Sequence, residues 1–205
     1  MADPVRRRRA VVKRSRALGI PLSPKAARGM ERRPYRPGQH GRGRVTVSDY
    51  KARLLEKQRL RAQYAITERQ LRNAVARAVR RPERTGDALL ADLETRLDAL
   101  VLRAGFATSI WQARQAVSHG HIRVDGRKVD ISSYRVRPGQ VLEVAERSRP
   151  LLPFQAAAAG EYAERQPPYL RVDLPDLRAR LERLPRRPEI PVICEETKVV
   201  EFYAR

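Results

Sequence analysis

Cysteine is nearly absent from this chain, because its 205 residues include only Cys194. A single thiol excludes an internal disulfide and excludes a zinc site built from several thiolates. The three histidines, His40, His119 and His121, lack the spacing and the cysteine or acidic neighbours of a metal site. The sequence therefore predicts a protein without a metal or another cofactor.

Long apolar runs are missing as well. No run approaches the roughly 20 apolar residues that span a membrane. The arginines near the N-terminus are not followed by the apolar segment that a signal peptide requires. We therefore expect a cytoplasmic protein that makes no contact with membranes.

Positive charge is what the chain has in excess. Its formal net charge is +21, and a chain so charged repels itself unless its partner is an anion. Residues 1–60 contain 18 Lys or Arg against 4 Asp or Glu, so they hold two thirds of the excess. Aromatic residues make up only 5% of the chain, which favours contact with nucleic-acid phosphates over stacking of bases.

Residues 1–47 are predicted to form a basic, extended arm. Arg6 to Arg9 form an uninterrupted run, apolar residues are sparse and without period, and prolines and glycines interrupt any long element. Such a segment cannot offset its chain entropy by burial. It is either a disordered cationic tail or an arm that becomes ordered on RNA. The stretch RRPYRPGQHG at 32–41 favours the second, because prolines fix its path and glycines permit close approach of its backbone.

Residues 48–93 are predicted to be helical. Ser48 is expected to cap a first helix, which ends near Tyr64. A capping box that begins at Thr67 opens a second helix, whose packed face includes Val79. A third helix is expected to run from Asp87 into the next segment without a break. Each arginine on these helices, taken singly, is an ordinary solvated residue, but together they follow directly on the basic arm.

Residues 94–144 predict two helices followed by a small sheet. Apolar residues recur at helical spacing in two segments, separated by Gly105, which can take the left-handed conformation that ends a helix. Ser109 opens the second helix. Asp125 and Gly126 form the dipeptide that a two-residue hairpin turn requires. Further short strands are expected up to Val144, one of them at 134–136.

The tail, residues 145–205, has the composition of a folded domain. We expect a helix at 155–165, a strand at 169–172 and a helix at 176–184 with Leu177 and Leu181 buried. Eleven Lys or Arg are balanced by ten Asp or Glu, so the tail is expected to contact protein neighbours rather than RNA. The predicted fold class is α+β: an extended arm (1–47), a helical α+β body (48–93 plus 145–205) and an inserted helix–helix–β module (94–144).

The middle segment resembles the RNA-binding module known as the S4 type, or αL motif. The resemblance rests on RLD at 96–98, on ARQ at 113–115 leading to SHGH at 118–121, and on VDG at 124–126 followed by SY at 133–134. The same module occurs in pseudouridine synthases, in the tail of a tyrosyl-tRNA synthetase and in a small heat-shock RNA binder. Taken alone, it implies binding of structured RNA and no particular protein.

The flanking segments resemble one family, the bacterial small-subunit ribosomal protein uS4. They are PGQHG at 37–41, SDY at 48–50, LEKQR at 55–59, EIPV at 189–192 and VVEFY at 199–203, in the order of that family. Some members bind zinc through four N-terminal cysteines, which this sequence lacks. It is therefore similar to the zinc-free, actinobacterial-like branch, in which proline and arginine contacts are expected to replace the metal.

The resemblance implies a structural constituent of the small ribosomal subunit, not an enzyme. Members bind the five-prime domain of 16S ribosomal RNA, nucleate assembly of the subunit body and influence translational accuracy with the neighbouring proteins uS5 and uS12. Some also bind their own mRNA. A stand-alone stress factor that binds structured RNA is the alternative. A pseudouridine synthase is disfavoured, because the 61 residues after Val144 are too few for a catalytic domain.

The residues expected to contact RNA are cations of the arm, the helical block and the module's helix ends and turns. Near the end of the module's second helix, a phosphate is expected to meet side-chain donors and helix-terminal amides. The predicted contacts are Arg36, His40, Arg42, Arg44, Lys57, Arg61, Arg69, Arg72, Arg103, Arg114, His119, His121, Arg123, Arg127 and Lys128.

Overall fold

The computed structural model describes residues 4–44, 46–162 and 166–204, with side chains from residue 11 onward. The chain divides into two compact units, Met1–Glu68 with Val192–Arg205, and Arg69–Pro191. We call them the first and the second unit. The predicted domain boundaries, at residues 47, 93 and 144, stay a prediction. No helix within the described ranges has the length and the apolar character needed to cross a membrane.

Helices and short antiparallel strands together give an α+β protein, as predicted. The helices of the described residues are α1 (Pro4–Leu18), α2 (Pro24–Arg32), α3 (Asp49–Gln63), α4 (Glu68–Val79), α5 (Thr85–Glu94), α6 (Leu97–Arg103), α7 (Ile110–Ser118), α8 (Leu152–Ala158) and α9 (Glu196–Tyr203). The strands are β1 (Ile122–Val124), β2 (Arg127–Lys128), β3 (Val141–Val144), β4 (Leu170–Asp173) and β5 (Arg178–Leu181). Short 3₁₀ helices occupy Glu146–Ser148 and Arg187–Glu189.

The N-terminal segment is mostly helical, so the prediction of an extended arm is wrong for much of its described length. Arginine, alanine, lysine and leucine dominate α1, and all four are strong helix formers. The Ser23 hydroxyl accepts a hydrogen bond from the Ala26 amide at 3.2 Å, which caps α2. Leu18, Ile20 and Leu22 are buried. Good helix formers, a few buried side chains and the cap at Ser23 thus give helices where an extended arm was predicted.

The first unit also contains the contact between α3 and α9. The Ser48 hydroxyl accepts a hydrogen bond from the amide of Lys51 at 3.3 Å, which confirms the predicted cap of α3. Arg53 on α3 donates from Nε to Glu201 on α9 at 2.8 Å. Burial of Val199 anchors α9 by its apolar side. The C-terminal segment therefore completes the unit that the N-terminal segment begins.

The second unit begins with three helices, and two predictions about them are wrong. Val79 does not lie on the packed face of α4, since 60% of its surface is exposed. The helix from residue 87 is not continuous either, because α5 ends at Glu94 and α6 begins at Leu97. The amides of Leu97 and Asp98 donate to carbonyls of residues 134 and 132, at 2.9 and 3.2 Å. These bonds to a distant segment replace the bonds of a continuous helix.

A five-stranded antiparallel sheet has the order β2-β1-β3-β5-β4. The hairpin between β1 and β2 is confirmed, since Asp125 and Gly126 have φ of 49° and 76°. The helix expected at 176–184 is wrong: β5 lies there, paired with β3 and β4. Leu177 and Leu181 are buried as predicted, but so is Ala179 between them, which is the period of a strand. At 134–136 a single bridge of Arg135 replaces the expected strand.

The core of the second unit joins α6 and α7 to the inner face of the sheet. Buried side chains of this cluster include Leu97, Leu100, Val101, Ala113, Val117, Ile122, Val124, Leu142, Val144, Ala179 and Leu181. The sheet thereby extends beyond residue 144 into the tail. Its outer face, the helix ends and the hairpin turn are left for solvent or for a partner.

Candidate RNA interface

A loop of the first unit, residues 33–44, is fastened by one guanidinium group. Arg16 on α1 donates from Nε to the carbonyls of Arg33 and Tyr35, at 3.1 and 2.9 Å, and from Nη2 to the carbonyl of Arg36, at 3.3 Å. Arginine contacts were expected to replace zinc in this region, and Arg16 supplies contacts of that kind. Its five donors in a fixed plane suit such a junction of carbonyls.

The aromatic ring of Tyr35 contacts two guanidinium groups, one from α1 and one from the loop itself. The guanidinium carbons of Arg16 and Arg42 are 4.9 and 4.6 Å from the ring centroid, distances typical of cation–π contacts. A hydrogen bond from Arg42 is the main cause that lowers the pKa of the Tyr35 hydroxyl. Gly41 permits this path, because a Cβ atom there would lie 1.9 Å from the carbonyl oxygen of Arg36.

The predicted contacts of this loop are therefore displayed on a fastened backbone. His40, Arg42 and Arg44 are exposed, and Arg36 is half-buried. Three of these four side chains can reach a phosphate in solvent without any unfolding of the loop.

On α3, one predicted contact is a structural residue. The Lys57 side chain is only 8% exposed; its Nζ lies 3.0 Å from Glu68 Oε1 and 4.1 Å from the ring centroid of Phe202. This position is a correction to the sequence analysis, since the ammonium group is not available to a phosphate. Arg61 also pairs with Glu68, at 2.9 Å, but 27% of its side chain is exposed. Lys57 was misassigned because its burial depends on α9, which lies far away in the sequence.

The Glu68 carboxylate is held in its charged form by these neighbours. Partial burial acts to raise its pKa, but hydrogen bonds from Tyr203, Lys57 and Arg61 outweigh burial and lower it. Tyr203 donates to Glu68 Oε1 at 2.6 Å. Beyond this site, Arg69 and Arg72 are exposed along α4. They present their charges to solvent, as predicted contacts should.

Arg103 is the second predicted contact that the structure removes. Its side chain is 17% exposed and pairs with the fully buried carboxylate of Glu94. Tyr169 donates from its hydroxyl to Glu94 Oε1 at 2.7 Å, and burial, followed by the charge of Glu94, raises the pKa of Tyr169. Arg103 neutralises a buried charge. The Arg103–Glu94 pair spans the break between α5 and α6, which the predicted continuous helix lacks. Tyr169 reaches the same carboxylate from 75 positions away, so no local pattern reveals the site.

Arg114 lies beside a buried ion pair. Arg96 and Asp98 form two hydrogen bonds, Nε to Oδ1 at 2.8 Å and Nη2 to Oδ2 at 2.5 Å, with exposed side-chain fractions of 2% and 0%. Arg114 Nε lies 3.7 Å from Asp98 Oδ2, and 29% of its side chain is exposed. The RLD motif thus has a physical role, because it neutralises the start of α6 and anchors one side of Arg114.

The end of α7 and the hairpin bring the remaining predicted contacts together. We call His119, His121, Arg123, Arg127 and Lys128 the hairpin cluster. The rings of His119 and His121 are 5.9 Å apart, and Lys128 crosses Gly120 so closely that an added Cβ would lie 2.3 Å from its Cε. His119, Arg127 and Lys128 are exposed, and Arg123 is half-exposed on the outer face. This group of donors suits a phosphate backbone.

Helix-terminal amides do not contribute to this cluster, contrary to the sequence analysis. The cluster follows the C-terminal end of α7, where the unpaired backbone groups are carbonyls and the dipole disfavours anions. Binding must therefore come from side chains. His121 Nδ1 lies 2.9 Å from Ser148 Oγ, and burial, followed by the charges of His119 and Arg147, lowers the pKa of His121. His121 is thus a neutral hydrogen-bonding group near neutral pH.

Within the described ranges, no group of three or more His, Cys, Asp or Glu is placed to hold a metal ion. The four-cysteine zinc site of other branches has no donors here, because Cys194 is the only cysteine.

Comparison with known proteins covers nearly the whole chain. The profile of the Ribosomal protein S4/S9 N-terminal domain matches residues 6–94, and that of the S4 domain matches residues 95–142. Small ribosomal subunit protein uS4 of Streptomyces griseus is 59% identical over 199 residues, which cover 96% of this chain and 98% of that protein. The chain belongs to the uS4 family. The uS4 proteins of Micrococcus luteus and Bifidobacterium adolescentis are each 57% identical, over 97% and 98% of this chain and over 98% and 99% of their own.

Family membership confirms the recognition made from the motifs. The uS4 relatives named above are actinobacterial, as the branch assignment predicted. The uS4 family is structural and not enzymatic. The hairpin cluster lies wholly within the match to the S4 domain, whereas the loop at 33–44 and Arg69 with Arg72 lie within the match to the N-terminal domain.

Proposed function

We propose that this uS4-family chain is a structural constituent of the small ribosomal subunit in the cytoplasm, where it binds ribosomal RNA and neighbouring ribosomal proteins. The observation that carries the proposal is the hairpin cluster, a group of cationic and hydrogen-bonding side chains beside a packed core and inside the S4-domain match. A rigid surface of donors suits structured RNA, which proteins recognise largely through its shape and its phosphates.

A finer proposal concerns the particular RNA and protein partners and the role in assembly. We propose that the chain binds the five-prime domain of 16S ribosomal RNA directly and nucleates assembly of the subunit body. Both units display cations on fastened backbones, which supports docking without large rearrangement. We further propose uS5 and uS12 as neighbours through which the chain influences translational accuracy, and its own mRNA as a second RNA ligand.

The set of proposed contacts is smaller than the sequence predicted. Lys57 and Arg103 support the fold rather than the interface, because each is mostly buried in an ion pair. The proposed RNA contacts are Arg36, His40, Arg42, Arg44, Arg61, Arg69, Arg72, Arg114, His119, His121, Arg123, Arg127 and Lys128.

Salt-dependent binding tests the proposal. Affinity is measured from 0.05 to 0.5 M salt, on the five-prime domain of 16S RNA and on a scrambled RNA of equal length. We expect a steep fall on both RNAs, since each phosphate contact adds roughly 0.7 to 0.9 to the log–log slope. We also expect a gap between the two RNAs that persists at moderate salt. Coincident curves would show that the chain acts only as a polycation.

A paired variant locates the binding in the hairpin cluster. Arg123→Gln with Lys128→Gln removes two of its charges from exposed or half-exposed positions. The matched control, Lys51→Gln with Arg186→Gln, removes two exposed charges from outside every proposed contact. The first pair should lower the slope by about 1.4 to 1.8 and the control should leave it nearly unchanged. Equal slopes would remove the cluster from the interface.

A stand-alone RNA-binding stress factor is distinguished by sedimentation. We expect the chain to remain with assembled small subunits in high salt, whereas a stress factor would be released.

A further inference from the structure

The outer face of the sheet carries arginines that the proposed interface does not include. Side chains alternate along β4 and β5, so that Leu170, Ala179 and Leu181 enter the core. Arg171, Arg178 and Arg180 consequently face outward, and all three are exposed. They lie in the tail, whose balanced composition conceals this local excess of positive charge.

Arg178 has an ordinary structural explanation. The strand register places it opposite Glu143 on β3 and opposite Asp173 on β4. Its Nε lies 3.0 Å from Glu143 Oε2. Opposite charges alternate along this row of the sheet and stabilise the pairing of the strands. Arg178 therefore needs no external partner.

The next outward row has no such compensation. It runs from Val141 on β3 through Arg180 on β5 to Arg171 on β4. Arg171 and Arg180 are directly opposite each other, a position where like charges destabilise a sheet. Arg180 Nε is 3.9 Å from Glu182 Oε1, but both side chains are about half exposed, at 53% and 42%, so this contact is weak. Arg171 has no ion pair among the described residues.

A shallow hollow of about 580 Å³ opens over this row. Arg171, Arg178 and Arg180 line it together with Gln166 and Asp173. The hollow therefore offers three guanidinium groups and one amide around a space accessible from solvent, and its one carboxylate, Asp173, lies in the row of Arg178. A phosphate suits paired guanidinium groups, because each can donate two parallel hydrogen bonds to it and its several oxygens can serve both groups at once.

We propose that Arg171 and Arg180 bind a backbone phosphate of RNA, so that the RNA surface of the second unit continues across the sheet into the tail. This inference rests on the proposed function. It is favoured by continuity with Arg123 of the hairpin cluster. Arg123 is opposite Glu143, which is opposite Arg178, so Arg123 lies on the same face. From strand spacings, it is about 12 Å from Arg180 and about 16 Å from Arg171. An RNA strand that contacts one site passes within reach of the other.

The proposal accounts for the unfavourable pairing of the two arginines. Two like charges placed opposite each other weaken the free protein, and a bound phosphate converts the repulsion into shared attraction. If the pair serves binding, substitution of both arginines should therefore stabilise the free protein. Structural arginines such as Arg178 should have the reverse effect.

The test uses the full chain with Arg171→Gln and Arg180→Gln combined. We expect binding to the five-prime domain of 16S RNA at 0.1 M salt to weaken about 25- to 60-fold, since each lost phosphate contact corresponds to roughly 5- to 8-fold there. The slope of log affinity against log salt should fall by about 1.4 to 1.8. The thermal midpoint of the free variant should be equal to that of the wild type or higher. The control Lys51→Gln with Arg186→Gln should bind nearly as the wild type does.

The outcomes separate this inference from the proposed function. If wild type itself binds the 16S domain and the scrambled RNA equally, the proposed function fails and the inference falls with it. If wild type discriminates but the Arg171 and Arg180 variant binds as the control does, only the inference is overturned. Normal RNA binding with impaired incorporation into subunits would also overturn it, because the face would then bind an acidic surface of a neighbouring protein.

Discussion

Substitution of Asp98 by asparagine should strongly lower the stability of the second unit, although it replaces only one oxygen atom by an amide nitrogen. The Asp98 carboxylate is fully buried and accepts two hydrogen bonds from Arg96, which is itself only 2% exposed. It also accepts a bond from the Ala99 amide at 3.0 Å, at the start of α6. Asparagine keeps the shape but not the charge, so the guanidinium would remain buried without a counterion.

The magnitude follows from burial. Removal of one partner from a buried ion pair lowers the free energy of unfolding by about 3 to 5 kcal/mol. For a domain of this size, each kcal/mol lowers the thermal midpoint by roughly 2 to 4 °C, so the expected fall is about 6 to 20 °C. Urea unfolding followed by the fluorescence of Trp111 measures the effect. Trp111 is the only tryptophan and lies on α7 of the same unit, so its signal reports on this core.

A second variant separates loss of the pair from loss of shape. Arg96→Met with Asp98→Leu removes both charges and fills similar volume, and such replacements are often neutral or stabilising. We expect this double variant to be more stable than Asp98→Asn alone. If Asp98→Asn lowered the free energy of unfolding by less than about 1 kcal/mol, the reasoning would be refuted, because an exposed ion pair contributes that much. A double variant as unstable as the single one would refute it too.

Three further predictions concern other sites. Gly41→Ala should displace the loop at 33–44, since the added Cβ lies 1.9 Å from the Arg36 carbonyl, and hydrogen exchange of the loop should accelerate while α3 stays protected; unchanged exchange would contradict this. Lys57→Gln should lower stability without changing the salt slope of RNA binding, whereas Arg69→Gln should do the reverse, and a slope change for Lys57→Gln would return it to the interface. Burial acts to raise the pKa of Asp92, but hydrogen bonds and charges of the guanidinium groups at positions 135 and 77 outweigh it and lower the pKa. The stabilisation from this carboxylate is therefore complete above about pH 4, its usual value, and is lost as the pH falls through the lower folded value. In acid unfolding, Asp92→Asn should be less stable than wild type at pH 6 and should converge with it towards pH 2; a constant difference would contradict this sign.

Local chemistry predicted much of the fold correctly. Caps at Ser48 and Ser109 and the turn at Asp125 and Gly126 depend on neighbouring atoms alone, and all of them are present. The α1 and α2 helices were missed because a search for apolar periods overlooks helices with few large apolar residues and many good helix formers such as arginine, alanine and lysine. The spacing of Leu177 and Leu181 fits a helix and a strand equally well, so only pairing with β3 and β4 decides between them.

The candidate site was predicted less well where packing between separate helices decides whether a cation is exposed. Lys57 and Arg103 have the charge and the neighbours of RNA contacts in the sequence, but residues of α9 and Glu94 bury them. Arg16 was not selected as a functional residue, although it fastens the loop that displays Arg42. One signal was available, since a zinc-free loop without an apolar core requires another crosslink, and a guanidinium with several donors is a suitable one.

Net charge per segment is a poor guide to where an anion binds, and the tail shows why. Its 11 cations and 10 anions nearly cancel, yet a sheet sorts side chains by face and then by register. One outward row places Arg178 between Glu143 and Asp173, and the adjacent row places Arg171 directly opposite Arg180. If the register had divided the acidic and basic residues evenly between the two rows, both rows would have been nearly neutral. Because register distributes the charges unequally, the same near-neutral segment can support strand pairing in one row and offer a phosphate site in the next.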